Sequence, residues 1–303
     1  MKQRKLFIGS LFIALLTITS CGEKTNMGLK KLSLGYIING SEVPEKSPLT
    51  TSIVGVYDKK NQSICTGSLI ASNIVLTAAH CVTKKTQDLK VIFSNNIDDA
   101  INIREQDVYL ELVRSVSAVQ FGPTWDPNDE TKEDDTGDIA LIKFKGDLPL
   151  NYKPAKFLND ATLLKKDQMV VLAGYGVSNV DLKSIDPKTY KKIDQAIEYG
   201  EVICSGDRKQ NYGQCFEVET TGDGLLRVTK APIASLTETE VRLNETKAGT
   251  CSGDSGGPAY LEINNELFLF GITSRGSELC NEVGVYTNAL FYLPWINNTI
   301  KTM

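Results

Sequence analysis

Histidine is almost missing from this chain: only position 80 of 303 residues carries one. A single imidazole excludes metal hydrolases that gather several histidines, and any histidine-dependent chemistry must run through His80. A surplus of positive charge is missing as well. With 33 Lys and Arg against 37 Asp and Glu, the formal charge is −4, so there is no basic field to hold nucleic acid. The seven cysteines form no CxxC pair, which argues against the usual zinc and redox motifs. No internal repeat is found. The one N-terminal apolar run, residues 6–18, is too short to read as a spanning helix, which needs about 20 residues.

The composition that remains is ordinary. Hydrophobic residues make up 41% and charged residues 23%, and the length suffices for one or two domains with a substantial core. Residues 1–20 begin with Lys2, Arg4 and Lys5, turn apolar, and end small at Thr19-Ser20, which is the layout of an export signal. Ile18-Thr19-Ser20-Cys21 resembles a bacterial lipoprotein signal, in which Cys21 becomes the lipidated first residue; the alternative is a plain secretory signal. Lipidation explains an odd cysteine count and leaves six for disulfides in an oxidising compartment. Residues 21–36, Lys-rich and without periodicity, read as a linker or propeptide.

From residue 37 the texture changes to short β-branched runs between turn residues: 53–57, 68–70, 74–77, 91–93, 139–144, 169–173, 225–228, 267–273 and 284–287. Such spacing predicts an all-β sandwich or barrel. Residues 291–300, with Trp295 and Ile296, read as a closing helix. Residues 177–224 break the rhythm: they are polar, helix-like over 188–199, and hold Cys204 and Cys215. They read as a long insert with too few apolar residues for a core of its own.

Three motifs carry chemistry. Gly253-Asp254-Ser255-Gly256-Gly257-Pro258 is unsuited to a helix or strand interior and suits a tight turn. In such a turn a free hydroxyl stands beside backbone N–H donors, as a nucleophile beside an oxyanion hole requires. By itself it also reads as a Gly/Ser surface turn. His80 follows an apolar strand in Thr77-Ala78-Ala79-His80-Cys81, and Asp138 opens another in Thr136-Gly137-Asp138-Ile139-Ala140-Leu141. His, then Asp, then Ser is one of the chain orders used by hydrolytic triads.

At this point the chain resembles the trypsin/chymotrypsin-like serine peptidases, from Ile37-Ile38-Asn39-Gly40 to the final helix. TAAHC at 77–81, DIALI at 138–142, GDSGGP at 253–258, Ser274 followed by Gly276, and GVYT at 284–287 match in order. The resemblance implies two six-stranded antiparallel β-barrels with the active site between them and a C-terminal helix. It implies Ser255 as nucleophile, His80 as general base and then acid, and Asp138 fixing the imidazole. The N–H groups of Gly253 and Ser255 would form the oxyanion hole, and Ser274 would bond the aspartate and line the substrate strand. Asp254, turned inward, is costly without a partner. The resemblance supplies one in the α-amino group of Ile37, released by cleavage after Tyr36. That pair should weaken as the amine, with a reference pKa of about 8, loses its proton.

The resemblance also implies bridges Cys65–Cys81 and Cys251–Cys280, which leaves Cys204 and Cys215 for each other. It places the insert in the family's autolysis-loop region and makes the segment between Pro232 and Cys251 short, without its usual disulfide. Gly249 falls at the pocket base where trypsins carry aspartate, and Gly276 and Gly284 fall where the walls stay open. A base without an acid predicts Phe, Tyr, Leu or Met before the scissile bond. Tyr36 ahead of the activation site agrees and hints at self-activation. Arg275 stands where tryptophan is usual, either biasing binding toward acidic residues or pointing to solvent.

The expectation is thus an exported serine endopeptidase, membrane-anchored only through a lipid at Cys21 or else periplasmic or secreted. It would need neither metal nor other cofactor, act as a monomer on protein or peptide substrates, and be switched on by an activating protease or by itself. A serine esterase would show a GxSxG elbow and the order Ser, Asp, His. A non-catalytic, surface-anchored binding module on a peptidase scaffold is the competing class; such modules usually lose a triad residue, and none is missing.

Overall fold

The computed structural model describes residues 37, 40–44, 47–128, 136–206, 212–277 and 279–303. The signal, Cys21 and residues 22–36 lie outside the described residues.

Alternation of side chains along each strand sorts the apolar residues into separate layers. The first half of the chain gives β1 (Ser41–Glu42), β2 (Ile53–Asp58), β3 (Ser63–Ala71), β4 (Ile74–Thr77), β5 (Leu89–Ile92), β6 (Val113–Phe121) and β7 (Ala140–Phe144). The strands β2 to β7 form a closed barrel in the order β2-β3-β4-β7-β6-β5, sealed by pairing of β2 with β5. Val54, Val56, Leu69, Val75, Val91 and Ile142 fill its interior. Their neighbours Ile53, Ile74, Leu76, Ile92 and Leu141 face the other way, into a separate buried cluster.

The second half gives β8 (Lys156–Phe157), β9 (Met169–Gly174), β10 (Asn179–Ile185), β11 (Val202–Cys204), β12 (Cys215–Thr221) and β13 (Arg227–Leu236). It continues with β14 (Glu240–Asn244), β15 (Pro258–Ile263), β16 (Glu266–Arg275) and β17 (Val283–Asn288). The run β13-β14-β17-β16-β15-β9 closes on itself through β9 and β13, making a second six-stranded antiparallel barrel. Val170, Leu172, Ile233, Val241, Leu243 and Phe270 fill it. The alternate residues Val171 and Ala173, with Tyr260 and Ile272, join the same cluster as the outward residues of the first barrel. That shared layer fastens the two barrels together. A hydrogen bond between the hydroxyls of Ser52 and Tyr260 adds a polar tie across it.

The closing helix spans Leu293–Thr302, with a proline in its first turn and Ile296 buried in the inter-barrel layer. Strands β6, β10–β12, β14 and β15 were not among the runs read from the sequence. In β6 and β12 polar and charged residues sit on an exposed face and hide the apolar alternation.

The insert corrects its sequence reading. Its strands form a three-stranded antiparallel sheet in the order β10-β12-β11, and its helix is confined to Ile193–Glu198. It does have a small core: Ala196, Val202 and Cys215 are buried, with Ile185, Tyr190, Ile193 and Ile197 packed around them. The apolar residues are few but fall on facing elements. At the insert's other end, Val177 and Val180 form one cluster with Cys251, Cys280 and Val218.

Candidate active site

The histidine follows directly from β4. Its apolar run Ile74–Thr77 is wholly buried, and the chain then leaves the sheet in a single 3₁₀ turn, Ala79–Cys81, which brings the His80 side chain to the surface of the first barrel. Asp138 sits just ahead of β7, which pairs with β4, so the ladder itself brings the two together. Asp138 Oδ2 lies 2.8 Å from His80 Nδ1, and Oδ1 accepts the backbone N–H of His80 at 3.0 Å. From the second barrel, the Ser274 hydroxyl donates to Oδ2 at 2.6 Å, and the Thr287 hydroxyl donates to the Asp138 carbonyl at 2.9 Å. The aspartate side chain is 4% exposed and that of His80 38%. Burial pushes the Asp138 carboxyl up, but the hydrogen bonds and charge of His80, together with the Ser274 hydroxyl, outweigh it and hold the carboxyl below its usual range. The acid is an ionised anchor. The other imidazole nitrogen is left for a proton from elsewhere.

Ser255 lies on the turn leading into β15. Its carbonyl accepts the N–H of Thr66 at 2.8 Å, while the N–H groups of Gly256 and Gly257 donate to Thr273 and Asp254 carbonyls at 2.8 Å. Among the described residues, no acceptor takes the N–H of Gly253 or of Ser255. Gly253 has φ +96°, which a side chain disfavours, and an added Cβ would stand 2.9 Å from Gly176 Cα. Two unspent donors on one tight turn are what an oxyanion nest requires. Ser255 and Ser274 line one cleft, and His80 lines another with Trp125 and Phe121. Among the described residues no hydrogen bond joins Ser255 Oγ to His80 Nε2, whose near contact is Cys81 Sγ at 3.8 Å.

Asp254 points away from the cleft and is completely buried. Its oxygens accept N–H groups of Gly176 at 2.8 Å and Cys251 at 2.9 Å. Burial pushes its carboxyl up to about 7 against those bonds and the pull of Arg227. Ile37 is also buried, and its carbonyl accepts the Gly40 N–H. With Tyr36 still attached, Ile37 offers an amide and not an amine.

The cleft that holds Ser255, about 200 Å³, is lined by Thr250, Cys251, Ser274, Arg275, Gly276 and Ser277 among others. Of the pocket residues expected from the sequence, Ser274 and Gly276 line it, and Gly249 and Gly284 do not. A Cβ on Gly249 would lie 2.4 Å from Cβ of Glu245, and one on Gly284 would lie 2.4 Å from the Glu245 carboxylate. Glu245, four residues before Gly249, thus packs against both glycines, and none of the three is among the residues that line the cleft. Arg275 lines the cleft and keeps 32% of its side chain in solvent. Its guanidinium forks onto Glu240, with bonds of 2.8 and 2.9 Å, and reaches Thr136 Oγ1 at 3.5 Å. Neither Glu240 nor Glu245 was singled out from the sequence, because a lone acid in a polar segment gives no hint that it folds inward.

Disulfides join Cys65 to Cys81, Cys204 to Cys215 and Cys251 to Cys280. The first lies next to His80, the second closes the hairpin-like end of the insert, and the third lines the cleft that holds Ser255. Cys65, His80 and Cys81 bring donor atoms close together, but both sulfurs are spent in the disulfide, so the trio is no metal site.

Comparison with known proteins agrees with this geometry. The trypsin family profile matches residues 37–296. Chymotrypsin-like elastase family member 1 of Canis lupus familiaris is 28% identical over 88% of this chain and 93% of its own length. Kallikrein-8 of Mus musculus is 27% identical over 90% of each chain. Among solved structures, neuropsin, a serine protease expressed in the limbic system of mouse brain, superposes with a TM-score of 0.57 at 22% identity, covering 86% of this chain and 99% of its own. The neuropsin match speaks for the fold alone. The family match spans most of the sequence, and with it the chain belongs to the trypsin family of serine endopeptidases.

Proposed function

We propose that this protein hydrolyses peptide bonds through an acyl-enzyme on Ser255. His80 takes the hydroxyl proton and returns it to the leaving amine, while Asp138 holds the imidazole in one tautomer and stabilises its charged form. The N–H groups of Gly253 and Ser255 receive the negative charge that develops on the attacked carbonyl oxygen. The observation that carries this reading is the chain's only histidine anchored through Nδ1 on a buried aspartate that four donors satisfy. A binding module on the same scaffold would have no use for that anchor. Covalent labelling by a fluorophosphonate, abolished in Ser255→Ala, is the expected result; a processed wild-type protein that takes no label ends the peptidase reading.

Activation is part of the same proposal. Cleavage between Tyr36 and Ile37 frees an ammonium group for Asp254, whose buried carboxyl is met, among the described residues, by two N–H donors and the charge of Arg227. A chain that keeps residues 21–36 should be nearly inactive; full activity in that form removes the latch. Three disulfides and the signal-like N-terminus support export, with a lipid on Cys21 as the anchor that the same cleavage would sever. Among the described residues no helix is long and apolar enough to cross a membrane.

A further inference from the structure

Resting on the peptidase reading, we propose that Glu245 is the specificity determinant of this enzyme and selects substrates with arginine or lysine before the scissile bond. The residue follows β14 and turns its side chain beneath the cleft, where it is 2% exposed. Its carboxylate accepts the N–H of Thr250 at 3.2 Å, the Thr250 hydroxyl at 3.3 Å, and the phenol of Tyr286. Thr250 itself lines the cleft, and its hydroxyl sits 2.9 Å from the Tyr286 oxygen. One residue therefore touches both the cleft and the acid.

Two glycines make room for this arrangement. Any side chain at 249 or 284 would collide with Glu245, and Gly284 lies directly behind Gly276 of the cleft wall, whose absent Cβ would come 3.9 Å from Gly284 Cα. The acid thus lies behind Thr250 and the two glycines, and is not itself among the residues that line the cleft. Among the described residues no cation partners its carboxylate, whose donors are uncharged hydroxyl and amide groups. A buried carboxylate with no cationic partner among the described residues, set behind a substrate cleft, fits a long side chain that ends in a guanidinium or ammonium. An aromatic or aliphatic side chain would instead bury the acid further without satisfying it.

One consequence concerns the activation site. Tyr36 is then a poor match to the enzyme's own pocket, and the cut before Ile37 falls to a different protease.

The test uses the processed enzyme, with active sites counted by fluorophosphonate, on peptides that differ only in the residue before the scissile bond. Arg and Lys peptides are expected to exceed Phe and Leu peptides in kcat/KM by at least about 10²-fold. Glu245→Gln, which keeps the shape and the Thr250 contacts, should lower that ratio by at least about 10²-fold. Benzamidine, a flat amidinium, should bind the wild type and lose at least as much affinity in the variant. A preference for Phe or Leu overturns the proposal, and so does one for Ala or Val, which would mean that the acid plugs the slot. Should Glu245→Gln fail to fold, wild-type binding of benzamidine and not of the neutral benzamide decides the matter. Benzamidine binding without fluorophosphonate labelling would remove the peptidase reading and leave the pocket assignment standing.

Discussion

The pair formed by Arg275 and Glu240 gives the sharpest stability test. Glu240 is buried, with a side chain 4% exposed, and its carboxylate depends on the Arg275 fork, since among the described residues its other donor is the Thr136 N–H at 3.5 Å. Arg275→Ala strands that carboxylate. Removing one partner of a buried pair costs about 3–5 kcal/mol. Arg275, however, keeps 32% of its side chain in solvent, so water reaches the cut site and a loss of about 2 kcal/mol is expected. For a domain of this size, each kcal/mol lowers Tm by roughly 2–4 °C, so the shift should be about 4–8 °C by calorimetry on the Ser255→Ala background, which prevents self-digestion. Glu240→Gln alone should cost less, because it leaves no buried charge. The double variant should show a coupling of at least about 1.5 kcal/mol. Arg275→Lys should recover only part of the loss, because an ammonium cannot fork. Kinetics should move modestly, since Thr136 stands two residues before Asp138. A Tm shift below about 1 °C, with a selective loss on peptides rich in Asp or Glu, would show that Arg275 reads substrate and would refute this assignment.

Other outcomes are open to measurement. Asp138→Asn should leave folding intact and lower kcat by on the order of 10⁴-fold, because the amide favours the wrong imidazole tautomer; a loss below tenfold would mean that His80 is oriented by something else. Replacing Cys204 and Cys215 with serine removes a short cross-link worth up to about 3 kcal/mol, and the effect should stay local. An added protease should then nick residues 177–224 faster while peptide hydrolysis survives; collapse of the whole domain would contradict this. Benzamidine affinity should depend on pH. Burial and, more weakly, the charge of Asp254 push the Glu245 carboxyl up to about 7 despite the bonds from Tyr286 and Thr250. It is therefore charged above that pH and neutral below it, and affinity should weaken roughly tenfold per unit as pH falls from about 7 to 5. The titratable groups facing it are the Tyr286 phenol and the Asp254 carboxyl, and a flat profile over that range would exclude the carboxylate as the cation's partner.

The barrels and the reacting groups were legible for one reason: both are written in short local patterns. Val54 and Val56 point inward and Ile53 outward because of parity alone, and His80, Asp138 and Ser255 each sit in a motif a few residues long. What escaped was set by folding geometry across longer distances. Glu245 is four residues from Gly249, yet it reaches the space that the glycine vacates only because the intervening segment turns back under the cleft. Arg275 finds Glu240 across two strands, β16 and β14, that are not neighbours, with β17 between them. The insert hid its core by spreading a few apolar residues over three strands and one helical turn.

The division of labour between the barrels has a further consequence. His80 and Asp138 belong to one barrel, Ser255 and Ser274 to the other, and the layer holding Ile53, Leu141, Val171 and Tyr260 lies between. Turnover is therefore a ruler laid across that seam. A small slip of one half against the other, too slight to unfold either, would open the gap between base and nucleophile and silence the enzyme while both halves stayed whole. Heat or mutation at the seam should thus take activity first and structure later, which makes the reaction itself the finest gauge of how the two halves are seated.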